Sequence, residues 1–232
     1  MNTNETNNKY FLPIAVVLAG LFIAGAVVWN SSHPYAGQPT PDTGATVVDI
    51  KNVKTDGNPF IGQADAPITI AAWSDYQCPF CKQFELVTVP QIITNYVDTG
   101  KVKIVFMDFA FLGNDSITGA EYSRAIWKLY PEKYFEWRTA MYTAQDEEGD
   151  EGFGDTASID KLNATITGLD AAKIADDVKE NLAVYQTMID ADKAEAQKVG
   201  INATPSLIIG TQVIAGAYPF DTFQSAIDVL LN

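Results

Sequence analysis

The sequence has very few of the side chains that bind transition metals or cross-link a fold. Its 232 residues include only two cysteines, Cys78 and Cys81, and a single histidine, His33. A closed zinc site takes about four ligands, so these three side chains do not supply one within a single chain. The two cysteines form one Cys-x-x-Cys unit, which leaves no cysteine over for a separate structural disulfide. We therefore expect neither a metal site nor a cofactor.

Basic residues are also scarce. Lys and Arg total 15 against 29 Asp and Glu, which gives a formal net charge of −14. A surface with this charge repels the phosphates of nucleic acids and the head groups of anionic lipids, and no basic stripe interrupts it. We therefore expect no nucleic-acid partner. Apolar residues still make up 47% of the chain, so one globular domain with a sizeable core is expected, together with a short extra segment.

Charge is absent from one long stretch near the start. Residues 10–29 form an apolar run of 20 residues without a charged side chain, which is the length of a transmembrane helix. Lys9 precedes the run and no Lys or Arg follows it until Lys51, a bias that predicts a cytoplasmic tail at residues 1–9. A cleaved signal peptide is the alternative, with the small residues 24–26 as its cleavage site. Both interpretations export the folded domain, and the first predicts a single-pass protein of the cell membrane.

The remaining chain divides into a linker and a folded domain. Residues 30–46 are rich in Pro, Gly and small polar side chains, which is typical of a flexible tether. Residues 47–232 alternate between apolar β-prone runs and helical stretches. We expect strands at 46–53, 67–73, 102–109, 205–209 and 212–215, helices at 79–96 and 220–231, and a helical insertion at about 115–199. This is the element order of an α/β thioredoxin fold with a helical insertion in mid-fold.

The cysteine pair is placed for disulfide chemistry. Cys78 and Cys81 lie three residues apart where a predicted strand meets a predicted helix, and Pro79 suits the first helical position. Unpaired N–H groups and the helix dipole at that end favour a negative charge, which lowers the pKa of a cysteine from its free value of about 8.5. Cys78 is therefore the candidate nucleophile, and Cys81, one turn inside, is the candidate resolving thiol. The alternative is that the two cysteines form an inert disulfide or are simply buried in the core.

A second motif lies far along the chain. Thr204-Pro205 comes immediately before an apolar strand, and a proline at that point cannot donate to the sheet. A cis bond there would turn the backbone of Thr204 toward Cys78, where a peptide substrate could pair with it as a short extra strand. An ordinary turn proline is the alternative.

Together these motifs resemble the DsbA family of thiol–disulfide oxidoreductases. The resemblance rests on Ser74-Asp75-Tyr76-Gln77-Cys78-Pro79-Phe80-Cys81, on 200–206 around the proline, on Asp108-Phe109 and on 216–219, and it covers residues 58–232. It implies a thioredoxin fold with a helical insertion, Cys78 as the exposed thiolate, a cis Pro205, and oxidation of cysteines in exported proteins.

Three positions depart from the better-known members of that family. Phe80 replaces a histidine that helps to hold the thiolate, which predicts a milder oxidant. Ala72 or a neighbour stands where many members carry an acid, whereas Glu85, one turn after Cys81, matches another family acid and is a candidate proton relay to Cys81. An exposed helix glutamate is the alternative for Glu85. Thr204 before the proline also occurs in isomerases and reductases, which leaves the direction of electron flow open.

The leading hypothesis from the sequence is an extracytoplasmic oxidase. Its expected partners are unfolded exported proteins with thiols and a quinone-linked membrane protein of the DsbB or VKOR type that reoxidises the pair. A reductase or isomerase of the same fold and a non-catalytic peptide-binding module are the alternatives.

Two surface features are interpreted more plainly. The acidic, glycine-rich stretch 146–155 lacks the spacing of an EF-hand and is interpreted as a solvated loop. Tyr76, Phe80, Ala217 and Tyr218 are candidates for an apolar lip around the cysteines, with a place at the edge of the core as the alternative.

Overall fold

A computed structural model describes residues 48–150 and 152–232. The predicted tail, membrane helix and linker all lie outside these residues. Among the helices that the model describes, none combines the length and the apolar composition that crossing a membrane requires.

A mixed five-stranded sheet forms the centre of the domain. In chain order the strands are β1 (Phe60–Ile61), β2 (Ile68–Ser74), β3 (Val102–Asp108), β4 (Ser206–Ile209) and β5 (Gln212–Ala215). Across the sheet the order is β1-β3-β2-β4-β5. The central strands β2 and β3 are parallel, and the other neighbouring pairs are antiparallel. This arrangement confirms the predicted thioredoxin fold.

Six helices surround the sheet within the described residues. They are α1 (79–97), α2 (Asn114–Leu129), α3 (Tyr134–Ala144), α4 (Thr156–Asn163), α5 (Ala171–Lys198) and α6 (Phe220–Leu231). The helix α1 is continuous but changes pitch, since π-helical turns at Phe84–Thr88 and Ile93–Val97 follow α-helical segments. Helices α2 to α5 form the predicted insertion. Two short 3₁₀ helices occur at Ile50–Asn52 and Pro131–Lys133.

The central strands are buried on both faces, which explains why their sequences are continuously apolar rather than alternating. Ile70 of β2 and Ile104 of β3 point into the larger core, where α1, α6 and the insertion pack. Trp73 and Met107 point to the opposite face, into a smaller core that includes Ala196 near the end of α5. The two faces together hold the C-terminal end of β2 rigidly, and the cysteine turn begins there.

One predicted strand is wrong. Residues 46–53 were expected to form an edge strand, but the structure has a 3₁₀ helix at Ile50–Asn52, capped by the carboxylate of Asp49. The edge strand is instead β1, only two residues long, which pairs with Ile104 and Val105 of β3. Val48 and Val53 are buried in the smaller core, so the apolar spacing that suggested a strand belongs to a capped turn lying on the sheet.

Candidate active site

The cysteine pair sits where β2 ends and α1 begins. Cys78 is the N-cap of α1 with an extended backbone, and Pro79 is its first helical residue. Because β2 and β4 pair antiparallel, with Trp73 opposite Ser206, the end of β2 lies beside the start of β4. The sheet therefore brings together Cys78 and Thr204, which are 126 residues apart in the sequence.

The two sulfur atoms differ in their surroundings. Both cysteines are free thiols; Cys78 is 6% exposed and Cys81 only 1%. The Sγ–H of Cys78 donates to the carbonyl oxygen of Thr204 at 3.5 Å, and the Thr204–Pro205 peptide bond is cis. The backbone N–H of Asp75 donates to Cys81 Sγ, also at 3.5 Å.

These surroundings separate the acidities of the two thiols. A hydrogen bond from Cys81 lowers the pKa of Cys78 to about 6; burial opposes this shift, while the side chain of Thr204 and the backbone N–H groups of Phe80 and Cys81 favour it. Burial raises the pKa of Cys81 well above its ordinary value, and the neighbouring Cys78 raises it further. At neutral pH the pair therefore carries one thiolate, on Cys78, and one thiol, on Cys81.

A shallow groove opens beside the pair. Its volume is about 280 Å³, and it is lined by Phe80, Gln83, Thr204 and 215–218. Phe80 is 61% exposed and Tyr218 is 50% exposed. Two of the lining residues, Phe80 and Thr204, lie next to Cys78, so the groove is adjacent to the sulfur that takes part in exchange.

The chain is similar to several characterised proteins. A sequence model of the thioredoxin family matches residues 54–229. The chain belongs to this family. Disulfide bond formation protein D of Bacillus subtilis is 29% identical over 175 residues, 74% of this chain and 76% of the relative. The probable disulfide bond formation protein D of Bacillus anthracis is 27% identical over 169 residues, 72% of this chain and 76% of that protein.

Several solved structures have the same fold as this chain. Oxidised BdbD from Bacillus subtilis superposes with a TM-score of 0.70 at 24% identity, covering 77% of this chain and 95% of that one. The thiol–disulfide exchange protein alpha-DsbA2 from Wolbachia pipientis gives 0.65 at 28% identity, covering 75% and 87%. The chain is a DsbA-like thiol–disulfide oxidoreductase, and the alternative of a non-catalytic binding module is set aside.

The structure brings six of the seven predicted site residues together and places the seventh, Glu85, elsewhere. Cys78, Pro79, Cys81, Thr204 and Pro205 meet at one point, and Phe80 extends from it into the groove. The cysteines and the prolines were singled out by their positions at a strand end or a helix start, and Phe80 and Thr204 as the residues beside them that depart from the better-known members of the DsbA family. Their catalytic roles stay predictions, which the experiments below test.

Glu85 does not lie on an exposed face of its helix. Its side chain is buried, and Oε2 accepts from Arg138 Nε at 3.0 Å, while Oε1 has no hydrogen-bond partner among the described residues. Burial raises the pKa of Glu85, although Arg138 opposes the shift. The alternative of an exposed glutamate is therefore wrong. No hydrogen bond within residues 48–150 and 152–232 joins Glu85 to Cys81, so the proton relay remains a prediction.

The candidate lip is only partly correct. Phe80 and Tyr218 are exposed beside Cys78, but Tyr76 is buried, stacked on Tyr142 and edge-on to Trp137. Tyr76 therefore anchors the insertion to the cysteine turn instead of facing solvent.

Sequence reasoning missed three buried polar residues that hold the site. Asp75 accepts four hydrogen bonds through its carboxylate. Gln145 donates to the carbonyl oxygens of Tyr76 at 2.7 Å and Cys78 at 3.1 Å. Arg138 reaches from α3 to Ser74 and Tyr76. Only Asp75 carried a signal, as a charged residue directly after a buried strand; Arg138 and Gln145 lie 62 to 69 positions from the residues of the cysteine turn that they bond.

The acidic stretch that begins at Asp146 is fixed to the site by its neighbours. The side chain of Gln77 donates to the carbonyl oxygen of Phe153 at 3.0 Å, and Asp150 accepts from the backbone N–H of Asp115 at 3.1 Å. Across the part of the chain that the structure describes, no group of three or more His, Cys, Asp or Glu side chains is arranged to hold a metal ion.

Proposed function

We propose that this enzyme works as an oxidase, which forms disulfides in exported proteins by passing on its own Cys78–Cys81 disulfide. The proposal rests on the position of Cys78 at the N-terminus of α1 beside Thr204 and Cys81, where the pKa of Cys78 is lowered to about 6. A stabilised thiolate lowers the free energy of the reduced enzyme, and a disulfide whose reduced form is stabilised is a stronger oxidant.

The exchange balances without a cofactor. A substrate thiolate attacks Cys78 Sγ, a mixed disulfide forms, and the Cys78–Cys81 bond breaks with Cys81 leaving as a thiolate that takes up a proton. A second substrate thiolate then attacks the substrate sulfur of the mixed disulfide, and Cys78 leaves as a thiolate. Two electrons move from the substrate to the enzyme, and the substrate gains one disulfide.

The groove supports an unfolded protein as the substrate. The exposed rings of Phe80 and Tyr218 offer apolar contacts, and Thr204 offers backbone groups at the start of β4. An extended chain that pairs with a short strand gains main-chain hydrogen bonds whatever its sequence. This recognition suits an enzyme that acts on many different chains before they fold.

Reoxidation and location belong to the same proposal. Each turnover leaves the enzyme reduced, so a second protein must accept two electrons, and a quinone-linked membrane protein of the DsbB or VKOR type supplies that chemistry. The uncharged run at 10–29 supports anchorage in the cell membrane as a single-pass protein, with residues 47–232 outside the cytoplasm, where disulfides persist.

The reduction potential tests the direction of electron flow. The domain is equilibrated with glutathione buffers, and the ratio of oxidised to reduced protein is followed by mass after thiol trapping. We expect a potential clearly higher than that of thioredoxin, roughly −270 mV. A value at or below that figure would make the protein a reductase and overturn the proposal.

Trapping in the host tests substrates and location together. The full chain carrying Cys81→Ala cannot resolve a mixed disulfide, so clients and the redox partner stay bound to Cys78. Exported proteins and a membrane protein are expected in these adducts, and the double variant that also carries Cys78→Ser is the control and should trap nothing. Adducts made only of cytoplasmic proteins would contradict the proposed location.

A further inference from the structure

We propose that the backbone N–H of Asp75 is a catalytic donor, which stabilises the sulfur of Cys81 while this sulfur leaves as a thiolate. The carboxylate of the same residue is the positioning group that holds the N–H in place. The inference rests on exchange at the cysteine pair and does not depend on the direction of electron flow proposed above.

The donor already touches the sulfur that has to leave. The N–H of Asp75 points at Cys81 Sγ, with 3.5 Å between the nitrogen and the sulfur. Cys81 is 1% exposed, so bulk water does not solvate a charge that forms on it. A hydrogen bond to an ionised acceptor is roughly twice as strong as one between neutral groups, so this contact gains strength as the charge develops.

The carboxylate of Asp75 is held from several sides. Oδ1 accepts from the N–H of Gln77 at 2.8 Å and from the hydroxyl of Ser116 at 2.6 Å. Oδ2 accepts from the N–H groups of Phe111 at 2.9 Å and Leu112 at 3.2 Å. Four donors therefore fix one buried side chain between the cysteine turn and the loop that leads into α2.

The remaining backbone group of Asp75 is also engaged. Its carbonyl oxygen accepts from the N–H of Cys78 at 3.2 Å and from the hydroxyl of Tyr142 at 3.3 Å. In the peptide unit that carries this N–H, the carbonyl oxygen of Ser74 accepts from the N–H of Phe109 at 3.0 Å. Both peptide units next to Asp75 are thus held by hydrogen bonds, which keep its N–H directed at Cys81 Sγ when the disulfide opens. Donors that need no reorientation at the moment of reaction are the effective ones in catalysis.

A donor of this kind has a kinetic signature. Charge on Cys81 is present in the transition state for opening the disulfide and in the reverse step, but neither in the disulfide nor in the neutral thiol. Loss of the donor should therefore slow exchange equally in both directions and leave the equilibrium constant with glutathione nearly unchanged. A distorted active-site turn would shift that equilibrium as well.

Two variants weaken the hydrogen bonds that hold the Asp75 carboxylate, each to a different degree. Asp75→Asn places an NH₂ group against backbone N–H groups in either orientation of the amide, those of Phe111 and Leu112 or that of Gln77. Ser116→Ala removes one hydrogen bond and leaves both cysteines untouched. Ser123→Ala is the matched control, because Ser123 is equally buried on the same helix and its hydroxyl bonds to Tyr134 instead. The full chain is used in each case, with reduced and oxidised glutathione as the probes.

We expect Asp75→Asn to slow reduction of the disulfide by glutathione about tenfold, and reoxidation by the same factor. Ser116→Ala should slow both about threefold, Ser123→Ala should change neither, and all equilibrium constants should stay within about twofold. Wild-type rates in a folded Asp75→Asn protein would overturn the proposal. If that variant does not fold, equal rates for Ser116→Ala and Ser123→Ala would overturn it.

Discussion

Arg138 Nε donates to Glu85 Oε2 at 3.0 Å, and both side chains are almost completely shielded from solvent. The same guanidinium lies over the ring of Phe106, 4.2 Å from its centroid, and donates to Ser74 at the end of β2. One side chain of the insertion thereby connects the helix that carries Cys81 to the strand that precedes the cysteine turn.

Removal of Arg138 should be costly, because it leaves a buried carboxylate without a counter-charge. We expect Arg138→Met to lower the free energy of unfolding by about 3–5 kcal/mol, and Glu85→Gln added to it should restore part of that loss. Urea unfolding of the reduced domain measures both.

The control for this pair lies at the start of the same helix, α3. Lys133 and Glu136 form an ion pair at 2.9 Å that is partly exposed, and Lys133→Met should cost less than about 1 kcal/mol. If Arg138→Met and Lys133→Met lowered the free energy of unfolding by similar amounts, burial would not determine how much the Arg138–Glu85 pair contributes to stability.

A group of buried acids should make the domain less stable as the pH rises. Burial raises the pKa of Asp192 from 3.8 to about 6, although Arg124 opposes the shift; burial also raises the pKa of Glu121. These acids keep their protons in the folded state at a pH where the unfolded chain has lost them. Their stabilising effect is complete below the unfolded value and is lost as the pH passes through the folded value.

Asp192→Asn tests this pH dependence. The wild-type domain should lose stability in urea between about pH 4 and pH 7, and the variant should lose less over the same interval. Asp190→Asn is the control, because Asp190 lies on α5 as well but is exposed, and it should retain the wild-type slope. A variant slope as steep as that of the wild type would assign the effect to other groups.

Phe80 should matter for protein substrates and hardly at all for stability. Its ring is 61% exposed, so Phe80→Ser removes little buried surface and should change the free energy of unfolding by less than about 0.5 kcal/mol. Oxidation of an unfolded protein with two thiols should slow several-fold, while the rate with glutathione stays the same.

Val184→Ser is the control for Phe80→Ser. Val184 is 57% exposed on α5 and does not line the groove, so both rates should be unchanged. Equal slowing of the glutathione reaction in Phe80→Ser would mean that the ring acts on the cysteines and not on the substrate chain.

Much of the fold follows from local patterns in the sequence. The apolar runs of β2 and β3 and the proline at the start of α1 each fix an element within a few residues. The edge strand did not follow, because β1 has two residues and exists only through its pairing with β3. A segment of that length is too short to show the alternation by which a strand is predicted.

The active site was likewise predictable only in part. Cys78, Cys81 and Pro205 could be identified from the sequence, because their types are unusual at those positions. The residues that hold them in place could not: Asp75 accepts hydrogen bonds from residues 36 to 41 positions away, and Gln145 donates to residues 67 to 69 positions away. Such contacts depend on how the insertion packs on the sheet, which no window of sequence contains.

The pH titration of Cys78 in the reduced, folded domain tests the account most directly. The rate of alkylation by iodoacetamide, followed by mass for the singly modified protein, reports the thiolate fraction at each pH. We predict a midpoint near 6, below the free value of about 8.5, so that Cys78 is ionised at neutral pH. A midpoint close to about 8.5 would contradict the account, because the sulfur would then be an ordinary thiol and its disulfide would not be an unusually strong oxidant.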